Sequence, residues 1–372
     1  MAPLHIDPSK IPLSLASCSI GLPRHNLHSK LEAISQAGLQ GIELSFPDLL
    51  SHANELVKFG QLKPTPGKTP DSDNEVAEDD WPALCEAAKH VKHLCDTHNH
   101  LKIIVLQPFS NFEGWPKDSP ERKQAWEKAK GWVQIMESCG CDMLQVGSTD
   151  TPSSKGITPD KRQLASDLAE LADLLAQKGF RIAYENWCWA THAPTWKDVW
   201  EVAQLAGRDN IGLCLDTFQS AGGEWGDPTT QSGRIEREGV SEPALRTSWL
   251  DSLRELSRTV PAEKIYFLQI SDAYHVQPPL AANPEPNDDE SGLRPRGRWS
   301  HDYRPLPYDG GYLPIADFVR AVLETGFRGW FSVEVFDGQF EKKYGDDLMK
   351  YAEKAKESNT KLVEEAARME SL

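Results

Sequence analysis

The sequence predicts an α/β protein folded as a closed (β/α)8 barrel, and three observations carry that prediction. Apolar runs that read as buried strands alternate with amphipathic stretches eight times along 372 residues. Strands and helices in alternation favour parallel βα units, and eight such units favour closure into a TIM barrel. A local signature also recurs at Gly38 to Glu43, Gly179 to Glu185 and Gly326 to Glu334, where a glycine closes a helix, a short turn follows, and a strand ends in an acid. Finally, the longest insertions follow the second, sixth and seventh strands, which places them on the C-terminal face where such barrels do chemistry. A doubly wound open sheet is the alternative, but no G-x-G-x-x-G follows an early strand. Residues 1–372 are read as one barrel domain, with a solvated insertion at 60–80 and a long active-site loop at 272–313.

The elements follow in order. Residues 11–18 form the first strand; Leu27, Leu31 and Ile34 then fall at helical spacing, and Gly38 stops that helix. Residues 41–44 are the second strand, and 60–80 are rich in Pro, Gly and charge with few apolar side chains. Asp80 before Trp81-Pro82 is an N-cap followed by an early proline, opening a helix to about His98. The third strand, 102–107, is stopped by Pro108, and Ser119-Pro120 opens a helix with Ala129, Trp132, Val133 and Met136 inward. The fourth strand is 142–147. Thr158-Pro159 opens a helix with Leu164, Leu168, Leu171 and Leu175 on one face, stopped by Gly179. The fifth strand carries Glu185 and is followed by a helix from Thr195 to about Ala206; the sixth carries Asp216 and leads through a Gly-rich loop to a helix over Leu245, Trp249, Leu253 and Leu256. The seventh carries Gln269. After the long loop, Pro314 opens a helix over Ile315, Phe318, Val319 and Val322; the eighth strand carries Glu334, and a charged helix covers 339–368.

The formal charge of −16 repels phosphate backbones and argues against nucleic acid as a partner. No segment reaches the roughly 18 apolar residues of a membrane span, and the N-terminus lacks a basic stretch followed by an apolar run, so a cytoplasmic protein without membrane contact is expected. The seven cysteines are scattered and read as reduced core thiols rather than a disulfide framework; Cys139-Gly-Cys141 is too short and isolated for a zinc site.

Chemistry is expected where buried strands end on polar residues. Glu185, Asp216 and Glu334 each stand in an apolar run, and Gln269 does the same on the strand between. A buried carboxylate is expensive unless a cation or hydrogen bonds hold it. Consecutive strands bring these four oxygen donors together, and three carboxylates with one amide oxygen suit a single hard divalent ion, Mg²⁺ or Mn²⁺, with Co²⁺ also compatible. The competing reading is pairing with core Arg or Lys, but Arg181 and Arg328 lie at the opposite ends of their strands.

The segments Ala16-Ser-Cys-Ser-Ile-Gly21, Gly38-Leu-Gln-Gly-Ile-Glu-Leu44, Leu106-Gln-Pro-Phe109 with Asn111-Phe-Glu-Gly114, Ala183-Tyr-Glu-Asn-Trp187, Gly212-Leu-Cys-Leu-Asp-Thr-Phe-Gln219, Leu268-Gln-Ile-Ser-Asp-Ala273 and Ser332-Val-Glu-Val-Phe336 carry a more specific likeness. In their order and spacing the chain resembles the xylose-isomerase-like barrels and, within them, the fungal 3-dehydroshikimate dehydratases of quinate catabolism. The resemblance spans nearly the whole chain apart from 60–80 and parts of the long loop. It implies a divalent metal on Glu185, Asp216, Gln269 and Glu334, and conversion of 3-dehydroshikimate to protocatechuate and water. An ion on the C3 ketone lowers the cost of the enolate formed when the C4 proton leaves; the C5 hydroxyl then departs with a proton from a general acid.

Bacterial relatives often carry a His three residues after the Asp ligand. That position here is Gln219, which is no base, so the proton-transfer role falls to His301, with His275 and Glu43 as alternatives, or Glu43 as a supporting acceptor. Arg304 is the expected partner of the substrate carboxylate, ahead of Arg294, Arg296 and Arg298, which would otherwise balance Asp288-Asp289-Glu290. Gln107, Asn186 and Gln219 are expected to contact substrate, Trp187 and Trp225 either to line the pocket or to pack; Tyr184, next to Glu185, should point to the other strand face. A homo-oligomer is compatible with the apolar positions Leu362, Ala366 and Met369 of the last helix. The competing functions are a sugar or inositol isomerase or epimerase on the same barrel, a multi-metal DNA-repair endonuclease, which the charge and Gln269 disfavour, and a ligand-binding barrel without catalysis.

Overall fold

A computed structural model describes residues 6–68, 75–282 and 292–371. Eight parallel strands close on themselves: β1 (Leu13–Ala16), β2 (Gly41–Ser45), β3 (Lys102–Phe109), β4 (Met143–Gly147), β5 (Arg181–Glu185), β6 (Ile211–Asp216), β7 (Ile265–Ile270) and β9 (Trp330–Val333). Closure is made by β9, which pairs with both β7 and β1. A short antiparallel pair, β8 (Tyr303–Arg304) and β10 (Phe336–Asp337), lies outside the barrel.

Helix α1 (Leu27–Gln36) follows β1; α2 (Phe46–Lys58) and α3 (Trp81–His93) follow β2; α4 (Pro120–Cys139), α5 (Lys161–Ala176) and α6 (Trp196–Ala206) follow β3, β4 and β5. After β6 come α7 (Thr217–Glu224) and α8 (Glu242–Thr259), after β7 come α9 (Pro295–Asp302) and α10 (Ile315–Glu324), and α11 (Phe340–Tyr344) and α12 (Leu348–Arg368) close the chain. The expected starts at Asp80, Ser119 and Thr195 are seen as caps: Asp80 accepts from the Ala83 N–H, Ser119 from Arg122, and Thr195 forms a reciprocal capping box with Asp198.

Several stretches differ from expectation. The helix expected from Thr158-Pro159 begins two residues later, because Asp160 takes the cap by accepting from the Arg162 N–H. Helix α2 was missed, although Leu49, Ala53 and Leu56 turn one buried face inward behind Pro47 at the helix start. The Gly-rich loop after Asp216 begins as α7, since the Asp216 carboxylate accepts the N–H groups of Phe218 and Gln219. Within 272–313, expected as loop, the chain forms α9 and β8. The single final helix divides at Gly345, whose φ of 56° lies in the left-handed region. Of 60–80, residues 69–74 lie outside the described residues; the flanks are anchored by Thr65 on Asp80 and by the Val76 N–H on Asn54. Asp288, Asp289 and Glu290 also lie outside.

Period two along each strand sorts side chains to the two faces. The larger core lies between strands and helices, and holds Leu144, Val146, Ile182, Tyr184 and Leu213. Tyr184 points there as expected, donating its hydroxyl to Glu113 at 2.9 Å. A small apolar plug of Val105, Met143, Ala183, Cys214 and Phe267 forms a second cluster on the opposite, inner face. Two residues further along each of those strands stand Gln107, Gln145, Glu185, Asp216 and Gln269. The inward side therefore changes from apolar to polar in one step along five strands, at their C-terminal ends. No described helix is long and apolar enough to cross a membrane.

Candidate active site

That step builds the site floor. One oxygen each from Glu185, Asp216 and Glu334 lie within 4.8 Å of one another, and all three residues are buried. Glu43 from β2 lies beside them, fully buried, and accepts from the Gln269 amide at 2.8 Å. Against these four carboxylates stands one guanidinium. Arg304, 1% exposed, donates through Nη2 to Asp216 at 2.6 Å and to Glu334 at 3.1 Å, and to the Glu334 carbonyl at 3.0 Å. Its Nε bonds Ser271 Oγ at 3.0 Å and its Nη1 bonds Ser300 Oγ at 3.2 Å. The short β8–β10 pairing, Arg304 opposite Phe336, brings the arginine over the floor.

Four acids and one base leave an excess of negative charge in a place without water-like solvation, and the acids respond. Burial pushes Glu334 up to about 7, with Arg304 pulling it down and Asp216 pushing further up. Glu185 and Glu43 rise well above the usual carboxylate range, by burial first and then by the nearby Glu334. Asp216 is also raised by burial, opposed by Arg304 and two backbone N–H groups. Glu185 Oε1 and Glu43 Oε1 are buried with no hydrogen-bond partner among the described residues. An orphaned buried oxygen, hard oxygen donors and uncompensated negative charge fit a divalent cation on Glu185, Asp216 and Glu334.

Above the floor opens a pocket of about 210 Å³ whose walls include Trp187, Trp189, Phe336 and His301. The two tryptophans stack at 5.1 Å. Gln107 donates to Glu334 at 3.1 Å, and Gln145 donates to the opposite acid, Glu185, to which Trp187 Nε1 also donates at 3.3 Å. Arg294, at the mouth, ties its segment to the carbonyls of Trp189 and Asp150.

Glu185 and Glu334 line the pocket and Asp216 lies with them in the acid cluster. Gln269 is on the same inner layer, but its amide stands between Cys214, whose thiol it accepts at 3.2 Å, and Glu43. His301 lines the pocket, and its Nδ1–H donates to the Gly297 carbonyl at 2.7 Å, leaving Nε2 as the basic nitrogen. Glu43 is buried beneath, where it accepts from the Gln269 amide, and is not among the residues that line the pocket. His275 is exposed and bonds Gln231 and Gln277 away from the site. Gln107 and Gln219 line the pocket, whereas Asn186 donates to the Pro194 carbonyl and does not. Trp187 is a wall; Trp225 packs on Tyr312 elsewhere. Arg304 reaches the pocket, but as the counter-charge of Asp216 and Glu334 rather than as a free anion receptor. Arg181 and Arg328 sit away from the acids, Arg181 over the Tyr266 ring and Arg328 on the Leu323 and Phe327 carbonyls. Arg296 binds Gly222, Gly226 and Asp227, and Arg298 binds the Ala281 carbonyl. No cysteine forms a disulfide.

Gln145 was missed. Its signal is the one that marks Gln269, a single polar residue inside an apolar strand. Asp150, in the loop after β4, accepts the Trp189 indole at 3.0 Å and has no periodic signal in the chain; Phe336 reads as the end of the eighth strand, and its place in the pocket comes from its pairing in β10 with Arg304.

Fold and site together define a parallel barrel enzyme scaffold with a buried carboxylate cluster at the C-terminal mouth. Residues 31–358 match the xylose isomerase-like TIM barrel family, and the chain belongs to that family. It is 31% identical over 338 residues to 3-dehydroshikimate dehydratase of Neurospora crassa, covering 89% of this chain and 87% of that protein. It is 29% identical to 3-dehydroshikimate dehydratase of Pseudomonas aeruginosa over 84% of this chain, but spans only 37% of that longer protein. Among solved structures, the IOLI protein with a bound zinc atom shares the fold, with a TM-score of 0.63 and 18% identity over 96% of this chain and 99% of that one.

Proposed function

We propose that the protein is a metal-dependent 3-dehydroshikimate dehydratase, which removes water from 3-dehydroshikimate to give protocatechuate in quinate and shikimate breakdown. The observation that carries this reading is the 31% identity to a dehydratase across nearly the full length of both chains. The acid cluster under a pocket of about 210 Å³ supports it, since that volume suits one small substituted ring; drug-sized ligands fill roughly 300–1,000 Å³.

Glu185, Asp216 and Glu334 would hold one divalent ion, Mg²⁺ or Mn²⁺, with Gln269 as a fourth donor once its amide turns from Cys214. When bound, that ion supplies Lewis acidity at the C3 ketone and makes the C4 hydrogen more acidic. Gln107 and Gln145 hold Glu334 and Glu185 in place by amide donation. In this reading His301 takes the C4 proton on Nε2, the nitrogen that its bond to Gly297 leaves basic, and the resulting imidazolium returns a proton to the departing C5 hydroxyl. Transfer of a proton from C6 to the C3 oxygen then completes the aromatic ring. Trp187, Trp189 and Phe336 offer flat apolar surfaces that favour a ring becoming planar. Arg304 is locked onto Asp216 and Glu334, so it serves the ketone end of the substrate and not the carboxylate across the ring.

The test is an absorbance assay for protocatechuate with purified protein and 3-dehydroshikimate, first with chelator and then with Mg²⁺ or Mn²⁺ restored. Product that vanishes with chelator and returns with metal supports both parts of the reading. Absence of product with every metal refutes it and directs attention to neutral keto-sugars and inositols.

A further inference from the structure

Beside the catalytic pocket lies a larger groove of about 880 Å³, and the two share a wall formed by Pro108, Ser110 and Asn111. The groove is lined by Phe46, Pro47, Trp81, Trp115 and Trp132. In this aromatic setting stands a single half-buried cation, Lys128 of α4. Its Nζ lies 4.9 Å from the centre of the Phe109 ring and 5.0 Å from that of Trp132. The other lysines withdrawn from solvent are satisfied. Lys30 binds Asp48 at 2.8 Å and the Ser17 carbonyl, and Lys343 binds Asp309 and Asp337. Lys128 has no hydrogen bond or ion pair among the described residues; ring faces attract its charge but leave its three N–H groups without an oxygen acceptor. The carboxylates at the groove rim are exposed, and two are engaged elsewhere, Asp79 with Lys68 at 2.8 Å and Glu127 with Lys130 at 2.7 Å. Glu78 is the acid whose charge is felt at Lys128, without contact, while burial pushes the ammonium in the opposite direction, towards losing its proton.

We propose that this groove is a second binding site, for a small aromatic carboxylic acid whose ring lies on the tryptophan and phenylalanine walls and whose carboxylate binds Lys128 Nζ. An ammonium on an apolar floor selects an anion, and flat aromatic walls select a flat ring over an aliphatic or polymeric anion. The shared wall at 108–111 puts an occupant directly next to the catalytic pocket.

The proposal does not depend on the dehydratase reading, because the probe is benzoate, which is neither substrate nor product of that reaction. Calorimetric titration of the full chain with benzoate is expected to show saturable binding. It should weaken at least tenfold in Lys128→Met, which keeps the apolar stem and removes the charge, and survive within a few-fold in Lys128→Arg. Circular dichroism of both variants shows that they are folded. No saturable binding, or binding that Lys128→Met leaves unchanged and that therefore occurs in the catalytic pocket, overturns the proposal.

Discussion

Replacing Arg304 by methionine tests the electrostatic account of the site directly. The guanidinium is 1% exposed and contacts Asp216 at 2.6 Å and Glu334 at 3.1 Å. With charge centres about 4 Å apart and an effective dielectric near 20, each attraction amounts to roughly 4 kcal/mol. The two do not simply add when the cation is removed, because either acid can take up a proton, and Glu334 already sits near 7. That relief brings the expected loss to about 3–5 kcal/mol, the range for breaking a buried pair on one side. Methionine keeps most of the packing on Phe218 and Phe336, whose ring centres lie 4.7 and 5.3 Å from the guanidinium. Urea unfolding of wild type and Arg304→Met in chelator is the assay, at pH 5 and pH 8. The loss should be smaller at pH 5, where protons neutralise the acids, and Mn²⁺ should restore more stability to the variant than to the wild type. A loss below about 1 kcal/mol, or one that responds to neither pH nor metal, would refute the claim that excess negative charge governs this site.

Other outcomes follow from single contacts. His301→Gln should lower kcat by roughly 100-fold or more, the usual share of a general base, with KM little changed; steady-state kinetics within a few-fold of wild type would remove His301 from the mechanism. Gly147→Ala puts a methyl 2.3 Å from the Trp187 ring, which must leave its place against Glu185 and Trp189. A fall in kcat/KM on the order of 100-fold is expected, as for a misplaced substrate wall, and an unchanged value would show that Trp187 is mere packing. Asp272 is pushed by burial from 3.8 to about 6, against the N–H groups of Ala273, Leu313 and Tyr312. The folded chain keeps this proton to a higher pH than the unfolded chain does. Its stabilising contribution is therefore complete below about pH 4 and is lost as pH rises to 6, an effect of about 3 kcal/mol. Asp272→Asn should flatten stability across that window, and an identical pH slope in the variant would contradict the assignment.

Much of the fold is legible in the chain because its signals are local. A strand buried on both faces must be apolar, so an acid within it stands out; this marked Glu185, Asp216 and Glu334 before any contact was known. Glycine stops and capped starts fixed most helix positions, as at Asp80, Ser119 and Thr195. Where local signals conflict, the chain is ambiguous: the two adjacent glycines of α7 favour a loop, yet Asp216 caps its first turn. What only the tertiary structure decided is which partner each polar group takes. Arg304 meets Asp216 across 88 residues and Glu334 across 30. The same arginine, read from the chain, was a free receptor for a substrate carboxylate. Gln269 turned to Cys214 and Glu43, Gln145 emerged as the support of Glu185, and Glu43 was sealed below the pocket. The reason is physical: an apolar run announces a buried strand from neighbours in sequence alone, whereas the pairing of the polar groups within it is settled by whichever group the closed barrel brings within about 3 Å.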